Sequence, residues 1–315
     1  WLKSLKTPPN CLVLDALATA PMARPVAIVT GGTRGIGAGI SEALASQGFD
    51  LVLGYGTNAV VAEQQAERLR SLGARVELRA GDVAEDSTLE ALAAAPANLP
   101  GPLRAVVHNA GQYLGVTSDN CLGLPSGGGR LGSLPADGMR QMDYYYRIYV
   151  GAFVRLVELT VQKLEPGSTV LAVSGMGCNC NIAPAEAYDL PAMGKAPMEV
   201  AVRYYAKNLA AQGITVNAII PGVIETDAWR ALSKGKGKGE DLAMARSVAG
   251  VACPMRRTAT ARELGDVAAF LCGPGGRYIT GVALPVDGGL HLGRPSAAPP
   301  SAPAAAPPGA AGASA

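Results

Sequence analysis

A phenol and an amine stand close together late in the chain, in Tyr188-Asp-Leu-Pro-Ala-Met-Gly-Lys195. Seven positions are nearly two helical turns, about 20° short of registry, so both side chains can meet on one helix face. There an ammonium lowers the pKa of a neighbouring phenol, and the pair can serve an oxygen on which negative charge develops. Far upstream lies a second run with chemical meaning, Thr30-Gly31-Gly32-Thr33-Arg34-Gly35-Ile36-Gly37. Its glycines let the backbone turn tightly and approach a pyrophosphate, whose charge meets free amides and the positive end of a helix dipole.

A glycine run carries that meaning only when a strand precedes it and a helix follows. Both conditions hold. Aliphatic and β-branched runs at 26–30, 51–53, 75–78, 103–107, 169–173, 214–220 and 282–286 predict about seven strands. Between them, apolar residues recur at helical spacing, as in Ile36, Ile40 and Leu44, or Ala62, Ala66, Leu69 and Leu72. Strands that are apolar nearly throughout belong to a parallel sheet covered on both faces. The expected fold is therefore α/β, a doubly wound parallel sheet of the Rossmann type.

In such a fold a carboxylate at the end of the second strand binds the ribose hydroxyls of NAD and repels the extra phosphate of NADP. Here that stretch reads Gly54-Tyr55-Gly56-Thr57-Asn58, with no acid. Arg34 in the glycine loop offers a phosphate partner, while Thr57 and Asn58 offer hydrogen bonds. NADP(H) is expected in preference to NAD(H), with Tyr55 and Thr57 beside it.

With these motifs in place, the chain from about residue 25 to 290 resembles the short-chain dehydrogenase/reductase family. The resemblance rests on residues 30–37, on Asp82-Val83, on His108-Asn109-Ala110-Gly111, on Pro221-Gly222-Val223-Ile224-Glu225-Thr226 and on Leu284-Pro-Val-Asp-Gly-Gly289. It implies that Gly31, Thr33, Arg34, Gly35, Ile36 and Gly37 cradle the cofactor phosphates. Asp82 and Val83 would contact adenine, Asn109, Ala110 and Gly111 would line the cofactor, and Pro221, Gly222, Val223 and Thr226 would hold its nicotinamide end. Most members place Tyr four residues before Lys, where this chain has Pro191. The longer Tyr188 to Lys195 spacing is similar to that of the enoyl-acyl-carrier-protein reductase branch, as is Val202-Arg-Tyr-Tyr-Ala-Lys207.

By this resemblance Tyr188 is the proton donor, and Lys195 binds ribose hydroxyls and supplies positive potential. Ser174, which closes the fifth strand, is the third catalytic candidate, with Gly175 where the family's catalytic Ser usually lies; Ile148 takes what looks like the place of the relay Asn. The implied activity is an NADP(H)-dependent oxidoreductase acting on a carbonyl or enoyl group, including a fatty-acyl thioester of the kind used in fatty acid biosynthesis. Two alternatives stay open: a reductase of small ketones or alcohols, and a cofactor-binding protein without turnover. The family also implies a homodimer or homotetramer through helices near 140–164 and 196–211.

Composition narrows the partners. Lys plus Arg total 27 and Asp plus Glu 25, a formal charge of +2 that leaves no surplus to hold a polyanion. Nucleic acid is therefore not an expected partner. No stretch reaches the roughly 18 unbroken apolar residues of a membrane span. Six scattered cysteines and two histidines suit reduced structural thiols rather than a disulfide framework or a metal site, pointing to a reducing compartment, cytoplasmic or organellar, plastid or mitochondrial matrix included. Residues 1–21 are expected to be a leader or disordered segment, with no acid before Asp15. Residues 22–293 would form one reductase domain, and the Ala/Pro-rich residues 294–315 a disordered tail. The Gly-rich insertions 123–138 and 233–240 are expected as surface loops near the ligand crevice. Lys234, Lys236 and Lys238 in the second offer a docking patch for an acidic carrier protein or a phosphopantetheine arm.

Overall fold

The computed structural model describes residues 23–112, 131, 132, 134, 136, 138–179, 188–230 and 242–294. The expected leader, the expected tail, most of the 123–138 insertion, the lysine run and Cys180 lie outside the described residues.

Seven strands form one parallel sheet: β1 Val26–Thr30, β2 Asp50–Tyr55, β3 Val76–Ala80, β4 Leu103–His108, β5 Thr169–Val173, β6 Thr215–Pro221 and β7 Ala283–Val286. Their order across the sheet is β3-β2-β1-β4-β5-β6-β7. Every neighbouring pair is parallel, with β1 between β2 and β4. The chain winds outward from β1 in one direction and then returns to start β4 on its other side. Adjacent connections diverge there, which opens a crevice at the carboxyl ends of β1 and β4.

Helices cover both faces. On one side lie α1 Gly35–Ser46, α2 Ala59–Ser71 and, near the chain's end, α8 Ala261–Cys272. Ile40, Leu44 and Leu69 pack there with Leu264, Ala268 and the inward residues of β1, β2 and β4. The opposite face carries α3 Asp86–Ala94, α4 Gly138–Tyr146, α5 Ala152–Thr160 and α6 Asp189–Leu209, burying Leu92, Phe153, Leu156, Met198 and Val202 against Val106 and Val170. A further helix, α7 Ala243–Ala252, makes a small cluster through Ala245, Ala249 and Val223. The central strands are mostly apolar on both faces because both faces are covered, whereas the edge strand β3 is only half-buried and carries the Glu77–Arg79 ion pair.

Two helix features bear on function. Between α4 and α5 the chain widens into one π-turn, Arg147–Gly151, a distortion that occurs often at functional sites. In α6, Pro191 sits in the first turn, where its missing amide costs nothing, but Pro197 lies inside and withholds a donor from the preceding turn. Met198 and Val202 beside it are buried in the core and hold this part of α6 against the sheet. No helix among the described residues is long and apolar enough to cross a membrane.

Candidate active site

The glycine loop joins β1 to α1. Gly31 has φ +61°, which favours glycine, and a Cβ placed on Gly37 would stand 2.0 Å from the Gly31 carbonyl oxygen. The loop can therefore close only with no side chain at these two positions. Arg34 takes extended backbone as the residue before α1, no side chain caps the helix, and its first turn holds no acid. That end is left to present amides and the positive dipole to an anion, which suits a pyrophosphate. The Arg34 side chain is exposed, whereas Thr33 is buried and Ile36 partly so. Tyr55 ends β2 and Thr57 is exposed just beyond it. The Asn58 oxygen, which sequence position suggested for the cofactor, instead accepts from the Val61 amide and caps α2.

The ends of β1 and β4 are tied by polar contacts. The Thr30 hydroxyl oxygen accepts from the amides of Asn109 (3.0 Å) and Ala110 (2.9 Å), so its own proton points to His108 Nδ1 at 3.0 Å. His108 Nε2 then carries the ring proton and donates to the Ile148 carbonyl in the π-turn, 3.0 Å away. Burial pushes His108 down to about 4, so the ring is neutral at pH 7. Asn109 Nδ2 donates back to the carbonyls of Thr30 and Gly31, fixing the loop. Gly111 lies against the Tyr149 ring, whose hydroxyl donates to the Gln112 carbonyl at 2.8 Å. Asp82 accepts from the Ala84 amide and from the Tyr144 hydroxyl at 2.9 Å, while Val83 is buried.

Tyr188, Lys195 and Ser174 converge on the end of β5. Lys195 is buried, and its Nζ donates to the carbonyls of Val173 (3.3 Å) and Ser174 (2.9 Å) while lying 4.8 Å from the centre of the Tyr149 ring. Burial lowers its pKa to about 8 against the opposing pull of Cys178 and Glu199. The Tyr188 hydroxyl reaches the same place: a Cβ built on Gly175 would stand 3.0 Å from it. Tyr188 precedes α6 with φ −117° and ψ 15°, so a helix start, rather than two turns of one helix, presents the pair. The Ser174 hydroxyl is buried and donates to Glu199.

The Pro221–Thr226 segment continues β6 into the crevice. Gly222 N donates to the Val286 carbonyl, Val223 is buried, and the Thr226 methyl stands 3.6 Å from a Cβ built on Gly35. The segment therefore reaches the glycine loop. Behind it a cleft of about 380 Å³ is bordered by Gly222, Val223, Met255, Arg257, Asp287 and His291.

Comparison with known proteins agrees with this geometry. A family model described as Enoyl-(Acyl carrier protein) reductase matches residues 31–291. The chain belongs to the short-chain dehydrogenase/reductase family. It is 29% identical over 272 residues to 1-cyclohexenylcarbonyl-CoA reductase of Streptomyces collinus, covering 86% of this chain and 89% of that protein. It is 30% identical over 268 residues to the 3-oxoacyl-(acyl-carrier-protein) reductase FabG of Pseudomonas aeruginosa, covering 85% and 97%. Among solved structures, a short chain dehydrogenase from Burkholderia cenocepacia in complex with NADP superposes with a TM-score of 0.70 at 27% identity, covering 85% of this chain and 97% of that one.

As a short-chain dehydrogenase/reductase, the chain departs from the usual family pattern at Gly175, Ile148 and Pro191, and the structure shows what stands there. Residue 175 leaves room for Tyr188, and the Ile148 carbonyl receives the His108 ring proton. Pro191 begins α6. Two residues at this site escaped the sequence reading. Tyr149 lies four residues after Tyr145, with their rings stacked at 5.8 Å, and Glu199 lies four residues after Lys195. Helical i, i+4 spacing was the available signal for both.

Proposed function

We propose that this protein, an NADP-dependent oxidoreductase of its family, reduces the conjugated enoyl or 3-keto group of an acyl thioester. The observation that carries the reading is the approach of the Tyr188 hydroxyl to Gly175, at the strand end where Lys195 is anchored. The NADP complex of the Burkholderia protein and the thioester chemistry named for the two enzyme relatives support it. The uncapped start of α1, the side-chain-free Gly31 and Gly37 and the acid-free end of β2 suit a dinucleotide carrying the additional phosphate. Bound nicotinamide supplies the hydride.

The chain's own residues then have distinct tasks. Gly31, Thr33, Gly35, Ile36 and Gly37 present backbone to the phosphates, and Arg34 takes the ribose phosphate beside Tyr55 and Thr57. Asp82 and Val83 border the adenine, Asn109, Ala110 and Gly111 floor the crevice, and Pro221, Gly222, Val223 and Thr226 orient the nicotinamide end. Tyr188 donates a hydrogen bond to the substrate oxygen that becomes negative, and passes its proton when that oxygen is a ketone. Lys195 supplies positive potential and faces the ribose. Ser174 supports the strand end through Glu199 and Lys195.

Assembly as a homodimer or homotetramer is part of the same proposal. It is supported by Tyr146 on α4 and by Val200 and Tyr204 on α6, all more than half exposed. Cys178, Cys253 and Cys272 are free and buried, which suits a reducing compartment, cytoplasmic or organellar.

The test is NADPH oxidation followed spectroscopically with matched enoyl and 3-ketoacyl thioesters, free and carrier-bound, beside small ketones. Turnover of a thioester class supports the proposal. Turnover of small ketones alone replaces it with the carbonyl-reductase alternative, and NADPH binding without turnover of any of them overturns it.

A further inference from the structure

Ser174 is held from three sides. Its amide donates to the Ile219 carbonyl at 2.8 Å, its carbonyl accepts from Lys195 Nζ at 2.9 Å, and its hydroxyl donates to Glu199 Oε1. Lys195 and Glu199 are four residues apart on α6 and both are buried. The second carboxylate oxygen of Glu199 accepts from Asn179 Nδ2 at 3.0 Å. One buried carboxylate thus grips both ends of the segment 174–179 that leads out of β5. A carboxyl group this deep is tolerated when its oxygens are hydrogen-bonded and a cation lies near, both of which hold here.

We propose that Glu199 is a positioning residue of the reductase site, pinning the 174–179 segment to the helix that carries Lys195 and supplying the counter-charge to the Lys195 ammonium. The proposal rests on the reductase reading above. The groups facing Lys195 come from four elements. Cys178 lies in the segment after β5, Glu199 on α6, Tyr149 in the π-turn and His108 at the end of β4. Burial raises the Cys178 thiol and the Tyr149 phenol and lowers His108, so all three are neutral at pH 7. At pH 7 Glu199 is therefore the acidic group that balances the ammonium, and Cys178 adds its pull only where its thiol ionises. Without Glu199, burial would drive the proton from Lys195 at lower pH, since burial is already the largest cause of its lowered pKa.

Glu199→Gln separates charge from geometry. Its carbonyl oxygen still accepts from Ser174, and the Asn179 amide turns over to accept from the new NH₂. Two readouts are taken from about pH 6 to about pH 10, a window spanning the lysine titration. In the NADPH-dependent reaction, the alkaline fall of kcat/KM should move about one unit toward acid while KM near pH 7 stays close to wild type. In urea unfolding, an ordinary lysine in the unfolded chain holds its proton to higher pH than Lys195 does, so stability rises with pH above the folded pKa. In Glu199→Gln that rise should begin at lower pH. Glu199→Asp, which keeps the charge, should restore the wild-type pH dependence with a smaller kcat.

Superimposable pH curves for wild type and Glu199→Gln would overturn the proposal, as would Glu199→Asp keeping the shifted profile. Should Glu199→Gln fail to fold, Asn179→Ala tests the pin in its place: with one of the two grips on the 174–179 segment removed and the carboxylate kept, kcat should fall, and an unchanged kcat would overturn the proposal. Wild-type protein inert toward every substrate would defeat the reductase reading, while the unfolding curves would still decide the role of Glu199.

Discussion

The hydroxyl of Tyr188 crowds the space into which a side chain at Gly175 would grow: a Cβ there would stand 3.0 Å from the oxygen and 3.1 Å from the ring carbon Cε1. The missing side chain and the displaced tyrosine are therefore one feature. A side chain at 175 would press on the phenol, so placing a serine there shifts Tyr188 from its present position.

Gly175→Ser should accordingly act on catalysis before it acts on binding. The tyrosine must give by a few tenths of an ångström, and misplacement of a reacting group by about 1 Å can cost on the order of 10²-fold in rate. We expect kcat to fall about tenfold or more with NADPH affinity kept. Steady-state kinetics beside NADPH fluorescence titration checks this, and an unchanged kcat would separate Gly175 from the placement of Tyr188.

Tyr188→Phe removes the proposed donor and leaves the ring to pack against Gly175. General-acid groups contribute about 10²–10⁴-fold, so kcat should drop within that range while the protein folds and binds NADPH as before. Single-turnover measurement isolates the chemical step, and a rate within about twofold of wild type would take Tyr188 out of the mechanism.

Much of the fold is visible in residue periodicity because the five central strands are buried on both faces and therefore mostly apolar; all seven expected segments overlap observed strands. The phosphate end is legible for a related reason: Gly31 and Gly37 sit where backbone leaves no room for a side chain. The other end of the site is less so. The Tyr188 and Lys195 spacing suggests a shared helix face, yet Tyr188 stands outside α6, and what joins the two is the end of β5. Glu199 is marked by its i, i+4 spacing to Lys195 and His108 by the motif that ends β4, but their partners lie 20 or more positions away and neither pattern names them.

Arg34 gives the cofactor preference a direct test. It is exposed beside the glycine loop, and no acid at 54–58 opposes a phosphate there. Hydrogen bonds to charged groups contribute about 1.5–3 kcal/mol, so Arg34→Ala should weaken NADPH about tenfold to 10²-fold. NADH, which lacks that phosphate, should bind as before. Isothermal titration with both nucleotides measures the ratio; equal loss for the two would assign Arg34 to the shared pyrophosphate instead.

His108 predicts how the fold responds to acid. Its ring accepts the Thr30 proton at Nδ1 and donates to Ile148 from Nε2, an arrangement that only the neutral imidazole satisfies. Burial lowers its pKa from 6.5 to about 4, so the unfolded chain binds a proton more readily than the folded one between these values. Stability is then intact above pH 6.5 and is lost as pH falls toward about 4, by roughly 3 kcal/mol from this residue. Urea unfolding at pH steps across that window should show the decline. His108→Gln keeps a donor toward Ile148 without titrating, so it should start less stable at pH 7 and lose less on acidification. A mutant slope equal to that of wild type would place the acid sensitivity in other groups.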